Sequence, residues 1–579
     1  MTNILNQYLN VNTPTVAPTQ VAPTAPAQTY AASQQVEPKN ANILEQFLNQ
    51  RGINASASVN AVSNKPIEQG VWKNDLRTLF QNNNAVIMGI IPRTFNAKDL
   101  SGNQLIRGND IQGNFNNAKE KLPELKKLGV NTLHVLPINP PGVKNAKGTY
   151  GSAYAPADFL KIDQGLDDKT DPRTVEEELK GFIQECHKQG IHVMLDLPSC
   201  CSYDMFLQHP EMMAMERNGL AKTPQGWDDI RMFNPWKDET KKELNPALFD
   251  MHKKFVDMCV DFGFDGIRAD VARTKPSQFW DPLIKYSHSR DPQFAWLAES
   301  YTYEDASPQV NMNYDRPADC LRAGFDSYYG QYHIFHEWTK AHELTDYVKQ
   351  NLQLSQELDK GKSLIGSFGT HDDMSLMLHG GPNFMNVVSG LQATLPMVNP
   401  YFMDGYQSGD DYLYDFEGKD DPETKTENHH CDVNHGMPDI FNASRPLVGK
   451  HPEIGTFMSA AMKMRSDYND VVTKGSFIPL KVDGNPDDQI ITFARHYNGK
   501  TLLVVANRNI DKRQQGNIEI PGLKSGTQLK NLLPQYGEES KIQSEDNKLS
   551  VDLGPSRIQV FEINTPDIEK SGLEVLKQK

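Results

Sequence analysis

The chain has 579 residues, 38% of them apolar and 23% charged, so it is long and apolar enough for a sizeable core and for three or four domains of about 150 residues, or fewer if one is a barrel. Its 59 basic and 74 acidic residues leave a net charge of −15, which argues against the basic footprint of a nucleic-acid binder. No apolar run approaches the roughly 18 residues of a membrane helix, so the expected partner is small or neutral and neither nucleic acid nor membrane. Six cysteines (Cys186, Cys200, Cys201, Cys259, Cys320 and Cys431) are too few for a disulfide scaffold and lack zinc spacing. The adjacent pair Cys200-Cys201 fits a reducing, cytoplasmic setting.

In chain order, Met1 to Thr13 has neither the basic nor the apolar region of a secretory leader. Residues 11–41 are rich in Pro, Thr, Ala and Gln, and such a segment buries too little apolar surface to offset its ordering entropy. Residues 1–65 are therefore expected to be a disordered tail. Within it, Asn3-Ile4-Leu5-Asn6-Gln7-Tyr8-Leu9-Asn10 recurs as Asn42-Ile43-Leu44-Glu45-Gln46-Phe47-Leu48-Asn49. Either this is chance similarity in a biased segment, or the motif at Ile4 and Ile43 is a duplicated docking element that folds on a protein partner.

From about Val71, short apolar runs alternate with helical stretches such as Asn116–Leu128 and Thr174–Gln189. The eight candidate strands are Ala85–Ile91, Thr132–Leu136, His192–Leu197, Gly266–Asp270, Phe294–Ala298, Gly324–Tyr328, Ser363–Gly369 and Pro400–Met403. Eight such units predict an α/β fold, a (β/α)8 TIM barrel over residues 71–473 with an insertion, 199–245, after the third strand. Residues 474–565 read instead as short strands joined by turns: Gln489–His496, Thr501–Asn507, Asn517–Ile520, Lys548–Leu553 and Gln559–Ile563, with Asn498-Gly499 as a hairpin signal. They predict a C-terminal antiparallel β-sandwich domain, followed by a tail at 566–579.

Functional groups of a (β/α)8 barrel sit where strands end, on the C-terminal face. Three carboxylates occupy that position: Asp270 closes the run Gly266 to Asp270, Glu299 closes Phe294 to Glu299, and Asp372 follows the seventh strand in Thr370-His371-Asp372. Two carboxylates facing one another across a bond are the minimum for glycoside cleavage, one attacking the anomeric carbon and one protonating the leaving oxygen. A third can bond sugar hydroxyls as positive charge develops. Arg268, two residues before Asp270, points to the same side of the strand and would keep that carboxylate ionised and oriented. A single strand-end carboxylate is usually a cap or surface charge; three with Arg268 and His371 in register are not.

These residues resemble glycoside hydrolase family 13, the α-amylase family. The resemblance runs over about residues 85–565 and is carried by Gly266-Ile267-Arg268-Ala269-Asp270, Glu299, His371-Asp372, and Gly151-Ser152-Ala153-Tyr154 followed by Asp158. It implies that Asp270 is the nucleophile, Glu299 the general acid/base and Asp372 the transition-state stabiliser. It also implies supporting roles for Arg268 and His371 and a sugar-stacking role for Tyr154. The segment Asp196-Leu197-Pro198-Ser199-Cys200-Cys201-Ser202, with His209-Pro210-Glu211, Asp229-Ile230, Thr274-Lys275-Pro276 and Phe279-Trp280, is similar to the bacterial maltosyltransferase branch, which transfers maltose from maltose 1-phosphate to α-1,4-glucan. The large N-terminal domains of that branch have no counterpart before the first strand, where only the tail and a short lead-in stand.

The resemblance thus implies a retaining enzyme acting on α-1,4-glucans or maltooligosaccharides, by hydrolysis or by transfer. Asp196 belongs to its substrate-binding set, and Lys275 is placed to bond acceptor hydroxyls or to pack its stem on Phe279 or Trp280. An inactive glucan-binding scaffold is the rival from another class. Typical amylases carry an Asn-His pair where this chain has Cys200-Cys201; thiols are poor calcium ligands, so no metal and no cofactor are expected. His429-His430-Cys431 lacks matching ligand spacing and reads as a loop. Trp227, Trp236 and Trp280 are either sugar platforms or core.

Overall fold

The structure is a computed structural model that describes residues 72–101, 106, 108–146, 150–224, 227, 229–301, 316–411, 431, 432, 437, 438, 440–442 and 450–579. The repeat at Ile4 and Ile43 and the pair His429-His430 lie outside the described residues.

Parallel barrel strands are covered on both faces, so they need unbroken apolar runs rather than alternation. Fully buried runs, apolar except for Thr132, His134, His192 and Asp196, form β1 (Ile87–Ile90), β2 (Thr132–Val135) and β3 (His192–Leu197). In the insertion, β4 (Cys200–Ser202) and β5 (Ile230–Met232) pair as an antiparallel ribbon with Cys201 opposite Arg231. The barrel continues with β6 (Gly266–Ala269), β7 (Ala295–Ala298), β8 (Ser327–Tyr328) and β9 (Ser363–Ile365). Neighbouring barrel strands pair in parallel from β1 to β9.

The eighth barrel strand differs from its expected span. It begins earlier and is broken by Pro400 into β10 (Val398–Asn399) and β11 (Tyr401–Met403). The first piece bonds β9 and the second bonds β1, so the break itself closes the barrel. Proline has no N–H to give to a ladder. Here its carbonyl accepts from the Ile87 N–H at 2.8 Å.

Helices pack outside. The helix Val175–Lys188 starts where Thr174 accepts from the Glu177 N–H and Glu177 accepts from the Thr174 N–H, a reciprocal cap read directly from Thr-x-x-Glu. Inside the barrel, Ile87, Met194, Ala295, Leu297, Ile365 and Tyr401 form their own apolar cluster, plugged by Leu76 and Phe80 of the helix Leu76–Gln81. Gly89 in β1 is required there: a Cβ on it would meet the Tyr401 hydroxyl at 2.5 Å.

After the barrel come β12 (Cys431–Asp432) and β13 (Met437–Pro438), a short antiparallel pair. The C-terminal strands are β14 (Ser476–Pro479), β15 (Val482–Asp483), β16 (Ile490–Tyr497), β17 (Lys500–Asn507), β18 (Gln514–Glu519), β19 (Lys541–Glu545), β20 (Lys548–Leu553) and β21 (Arg557–Ile563). They make two antiparallel sheets, β14-β16-β17-β21 and β15-β18-β20-β19. Asn498 and Gly499 both have positive φ in the two-residue turn between β16 and β17, as the Asn-Gly signal predicts. The run Leu502 to Ala506 is apolar throughout because both faces are covered. Leu503 and Val505 face the second sheet, while Leu502, Val504 and Ala506 join the core shared with the barrel helices.

The segment 566–579, read as a tail, is seated. Leu576 exchanges backbone hydrogen bonds with Phe477, and Asn83 donates to the Gln578 side chain. No helix among the described residues is long and apolar enough to cross a membrane.

Candidate active site

The site is built around Arg268, whose side chain is fully buried in the barrel. Strand register places Arg268 of β6 level with Asp196 of β3 and Leu297 of β7, so all three share the lumen face. One guanidinium then organises three carboxylates. Nη1 reaches Asp196 Oδ1 at 2.9 Å and Oδ2 at 3.0 Å, and Asp270 Oδ1 at 2.9 Å. Nη2 is ion-paired with Glu299 Oε2 at 2.9 Å. The Nε–H donates to the Tyr329 hydroxyl at 3.1 Å.

Asp196 is the buried base of this array. It accepts from the Tyr154 hydroxyl at 2.6 Å and lies 3.0 Å from His134 Nε2, whose Nδ1 lies 3.0 Å from the Tyr401 hydroxyl. Burial alone would raise its pKa, but Arg268 and these hydrogen bonds outweigh it and hold it at about 2. Asp270 sits at the lip, its side chain 13% exposed, with Oδ2 accepting from the Ser199 N–H at 2.8 Å. Burial pushes its pKa up to about 7; Arg268 opposes the rise, and the charges of Glu299 and Asp196 add to it.

Glu299 accepts from the Val271 N–H at 2.6 Å on Oε2 and from the Tyr301 hydroxyl at 3.0 Å on Oε1. Val271 follows Asp270 directly and has φ 33°, ψ 57°, a left-handed conformation that is costly for a β-branched residue. That strained turn aims one N–H at Glu299 immediately beyond the nucleophile candidate.

Asp372 faces these groups from the loop after β9, with His371 Nε2 3.3 Å from its Oδ1. The protein mass around it and the charge of Glu299 hold its carboxyl well above the usual range, while a side chain 45% exposed to the cleft limits that rise. His371 stacks on Tyr154 with ring centroids 5.3 Å apart and planes 5° apart. Trp227, partly buried, packs against the same apolar cluster as Tyr150 and Tyr154, while Trp280 and Trp236 are core.

The structure therefore gathers Asp270, Glu299, Asp372, Arg268, His371, Tyr154 and Asp196 at one mouth of the barrel. Lys275 is placed differently. It is 1% exposed, lies beneath the loop after β3, and does not open to the cleft where acceptor hydroxyls would stand. Cys200 and Cys201 are buried in the ribbon, and burial pushes the Cys200 thiol up to about 12, so both behave as small apolar groups there. Among the described residues, Asp168, Asp171 and Glu178 cluster with oxygens within 4.8 Å, away from these groups in sequence. Asn116 donates to all three and Arg173 pairs with Asp171.

Sequence reasoning missed His134, Tyr301, Tyr329 and the Ser199 and Val271 N–H groups. His134 left a signal, as a polar residue inside the buried run Thr132 to Val135. The backbone donors left none.

No family model matches the chain. It is similar to the α-1,4-glucan:maltose-1-phosphate maltosyltransferase of Bifidobacterium animalis subsp. lactis, 23% identical over 439 residues that cover 71% of this chain and 54% of the relative. The enzyme of the same name from Picrophilus torridus is 24% identical over 71% of this chain and 61% of its own length, and that from Myxococcus xanthus 30% identical over 32% and 30%. The chain thus spans no more than about six-tenths of these relatives' length.

Among solved structures, the noncanonic maltogenic α-amylase AmyB of Thermotoga neapolitana aligns with TM-score 0.61 and 18% identity over 84% of this chain and all of its own. An α-amylase from Lactobacillus plantarum aligns with TM-score 0.62 and 19% identity over the same shares. In fold and in sequence, this chain resembles glycoside hydrolase family 13, the α-amylase family, on the side of its maltosyltransferase-like branch.

Proposed function

We propose that the protein is a retaining enzyme of α-1,4-glucans or maltooligosaccharides. The observation that carries this reading is the single buried guanidinium of Arg268 holding Asp270 and Glu299, one on each Nη, at the ends of adjacent strands. Two carboxylates bridged by one cation favour the short separation, roughly 5–5.5 Å, at which the second acts as nucleophile rather than activating water.

In the first step Glu299 gives its proton to the glycosidic oxygen as an Asp270 oxygen attacks the anomeric carbon. The C–O bond to the leaving sugar breaks, and a β-glycosyl ester forms on Asp270. In the second step Glu299 takes the proton of water or an acceptor hydroxyl, which attacks the same carbon and frees Asp270. Asp372 bonds sugar hydroxyls as charge develops, and the Tyr154–His371 stack forms the floor for the reacting ring. Arg268 opposes the protonation of Asp270 and aims it.

The relatives' name favours transfer over hydrolysis, with a maltosyl group as cargo. Transfer wins when a bound acceptor holds its hydroxyl near the anomeric carbon more effectively than water does. With maltotetraose alone, products both longer and shorter than the input are expected. Only shorter chains, at any substrate concentration, would leave a hydrolase. Adding maltose 1-phosphate tests the donor directly: elongation by two glucose units with release of phosphate identifies it. No turnover of any of these substrates would point to a glucan-binding scaffold.

Cys186, Cys200, Cys201 and Cys259 are buried free thiols, which supports a cytoplasmic setting. The repeat at Ile4 and Ile43 is read as a docking element for a protein partner, testable by pull-down with and without the tail.

A further inference from the structure

We propose that Lys275 is a positioning residue for the nucleophile: its ammonium fixes the Ser199 segment that hydrogen-bonds Asp270. The proposal rests on the retaining reading above. Lys275 follows the turn Ala272–Thr274 behind the nucleophile strand and is 1% exposed. Its Nζ donates to the Ser199 carbonyl at 3.2 Å, and the Ser199 N–H donates to Asp270 Oδ2 at 2.8 Å. Ser199 is thus held from both of its backbone polar groups, by the lysine on one side and the carboxylate on the other. The ammonium lies 5.5 Å from the Phe233 ring centroid and 5.6 Å from that of Trp280, a cage suited to a cation.

A buried ammonium is costly, and a methionine of similar volume would fill the same apolar cage. A lysine kept there acts through its charge and its donors. The titratable groups facing it are Asp270 just after β6, the Cys200 and Cys201 thiols on β4, and His252 on the helix Pro246–Phe262. Burial keeps both thiols protonated and, with Lys275 itself, keeps His252 neutral, which leaves Asp270 as the charge that answers the lysine. Burial lowers Lys275 to about 8, so it loses its charge just above neutrality. A neutral amine then holds the Ser199 carbonyl less strongly than the ammonium does.

The test uses the full chain and a maltosyl fluoride bearing a second fluorine at C5, whose fluoride leaves without a proton from Glu299 and whose adduct turns over slowly. In the wild-type protein, mass spectrometry should find the label on Asp270, and the labelling rate should decline as pH rises through about 8. Lys275→Met should slow labelling about tenfold at neutral pH with donor affinity nearly unchanged, and should abolish the decline. Lys275→Arg should restore most of the rate and move the decline upward. A wild-type rate flat to about pH 9.5 overturns the proposal even if neither variant folds. A Lys275→Met variant that labels like wild type, decline included, overturns it too. A label on a residue other than Asp270 removes the retaining reading and the proposal with it.

Discussion

At the scale of single residues, Arg268 does most to define the site. Its charge draws Asp196, Asp270 and Glu299 together. Replacing Asp270 by Ala removes the group proposed to form the ester, so turnover of maltooligosaccharides should fall by at least about 10³-fold. Glu299→Gln should be comparably slow with those donors yet keep most of its first-step rate with a maltosyl fluoride. Equal losses with both donors would mean that Glu299 is not the proton donor. Asp270 must be ionised to attack, and burial holds its pKa up at about 7. The acid limb of kcat/KM should therefore lie near neutrality, and a rate constant down to pH 5 would contradict this. Asp270, Glu299 and Asp372 were all legible in the sequence, because each ends or follows an apolar run. His134 showed only as a polar residue in a buried run, and Tyr329 not at all, because what recruits them to Asp196 and Arg268 is the closing of the barrel.

Among the elements, the ribbon β4–β5 and the broken eighth strand differ most from simple expectation. The ribbon packs Cys200 with Met232 and Ala214 and sends Cys201 into the main apolar core, where its Sγ lies 3.5 Å from Met213 Sδ. Thiols buried in this way offer no hard oxygen to calcium. Activity should thus survive prolonged EDTA treatment unchanged. A loss restored by added calcium would show that other residues rebuild a cation site at this junction. The break at Pro400 was not legible. A proline following Val398-Asn399 reads as the start of a strand, and only a barrel that must bond β9 on one side and β1 on the other makes both flanks strands.

For the whole molecule, the lead-in to the barrel is pinned beneath it by a charged cluster. Asp265 accepts from Trp72 Nε1 at 2.8 Å, lies 2.9 Å from His187 Nε2, and is held at about 2. His192 Nε2 lies 2.9 Å from Asp75, and the Trp72 and His187 rings stack at 4.1 Å. Burial disfavours a charge on His192, but Asp265 and Asp75 outweigh it and raise its pKa to about 9. A raised folded-state pKa means the stabilisation is complete below the unfolded value of about 6.5 and is lost as pH rises through about 9. The melting temperature should accordingly fall between pH 7 and pH 10, and fall less in His192→Gln. An identical fall in the variant would show that other groups set it. Because Trp72 already anchors the barrel's start, deleting residues 1–65 should leave turnover of soluble oligosaccharides nearly unchanged, checked by steady-state kinetics and melting.

The sequence by itself determined the barrel, its C-terminal β-domain and the three carboxylates, because these depend on local properties: apolar runs of strand length, an Asn-Gly turn, and acids where strands stop. Tertiary structure alone decided what surrounds those acids. Asp196, Arg268 and His134 are up to 134 residues apart, and only parallel register in a closed barrel brings them onto one face, where Tyr154 reaches Asp196 from the segment between β2 and β3. Backbone donors such as the Ser199 and Val271 N–H groups are common to every residue, so no side-chain pattern marks them. Lys275 shows the same limit from the other side. Its sequence position beside the nucleophile strand was plain, but whether its ammonium met sugar or a carbonyl depended on which loop folded over it.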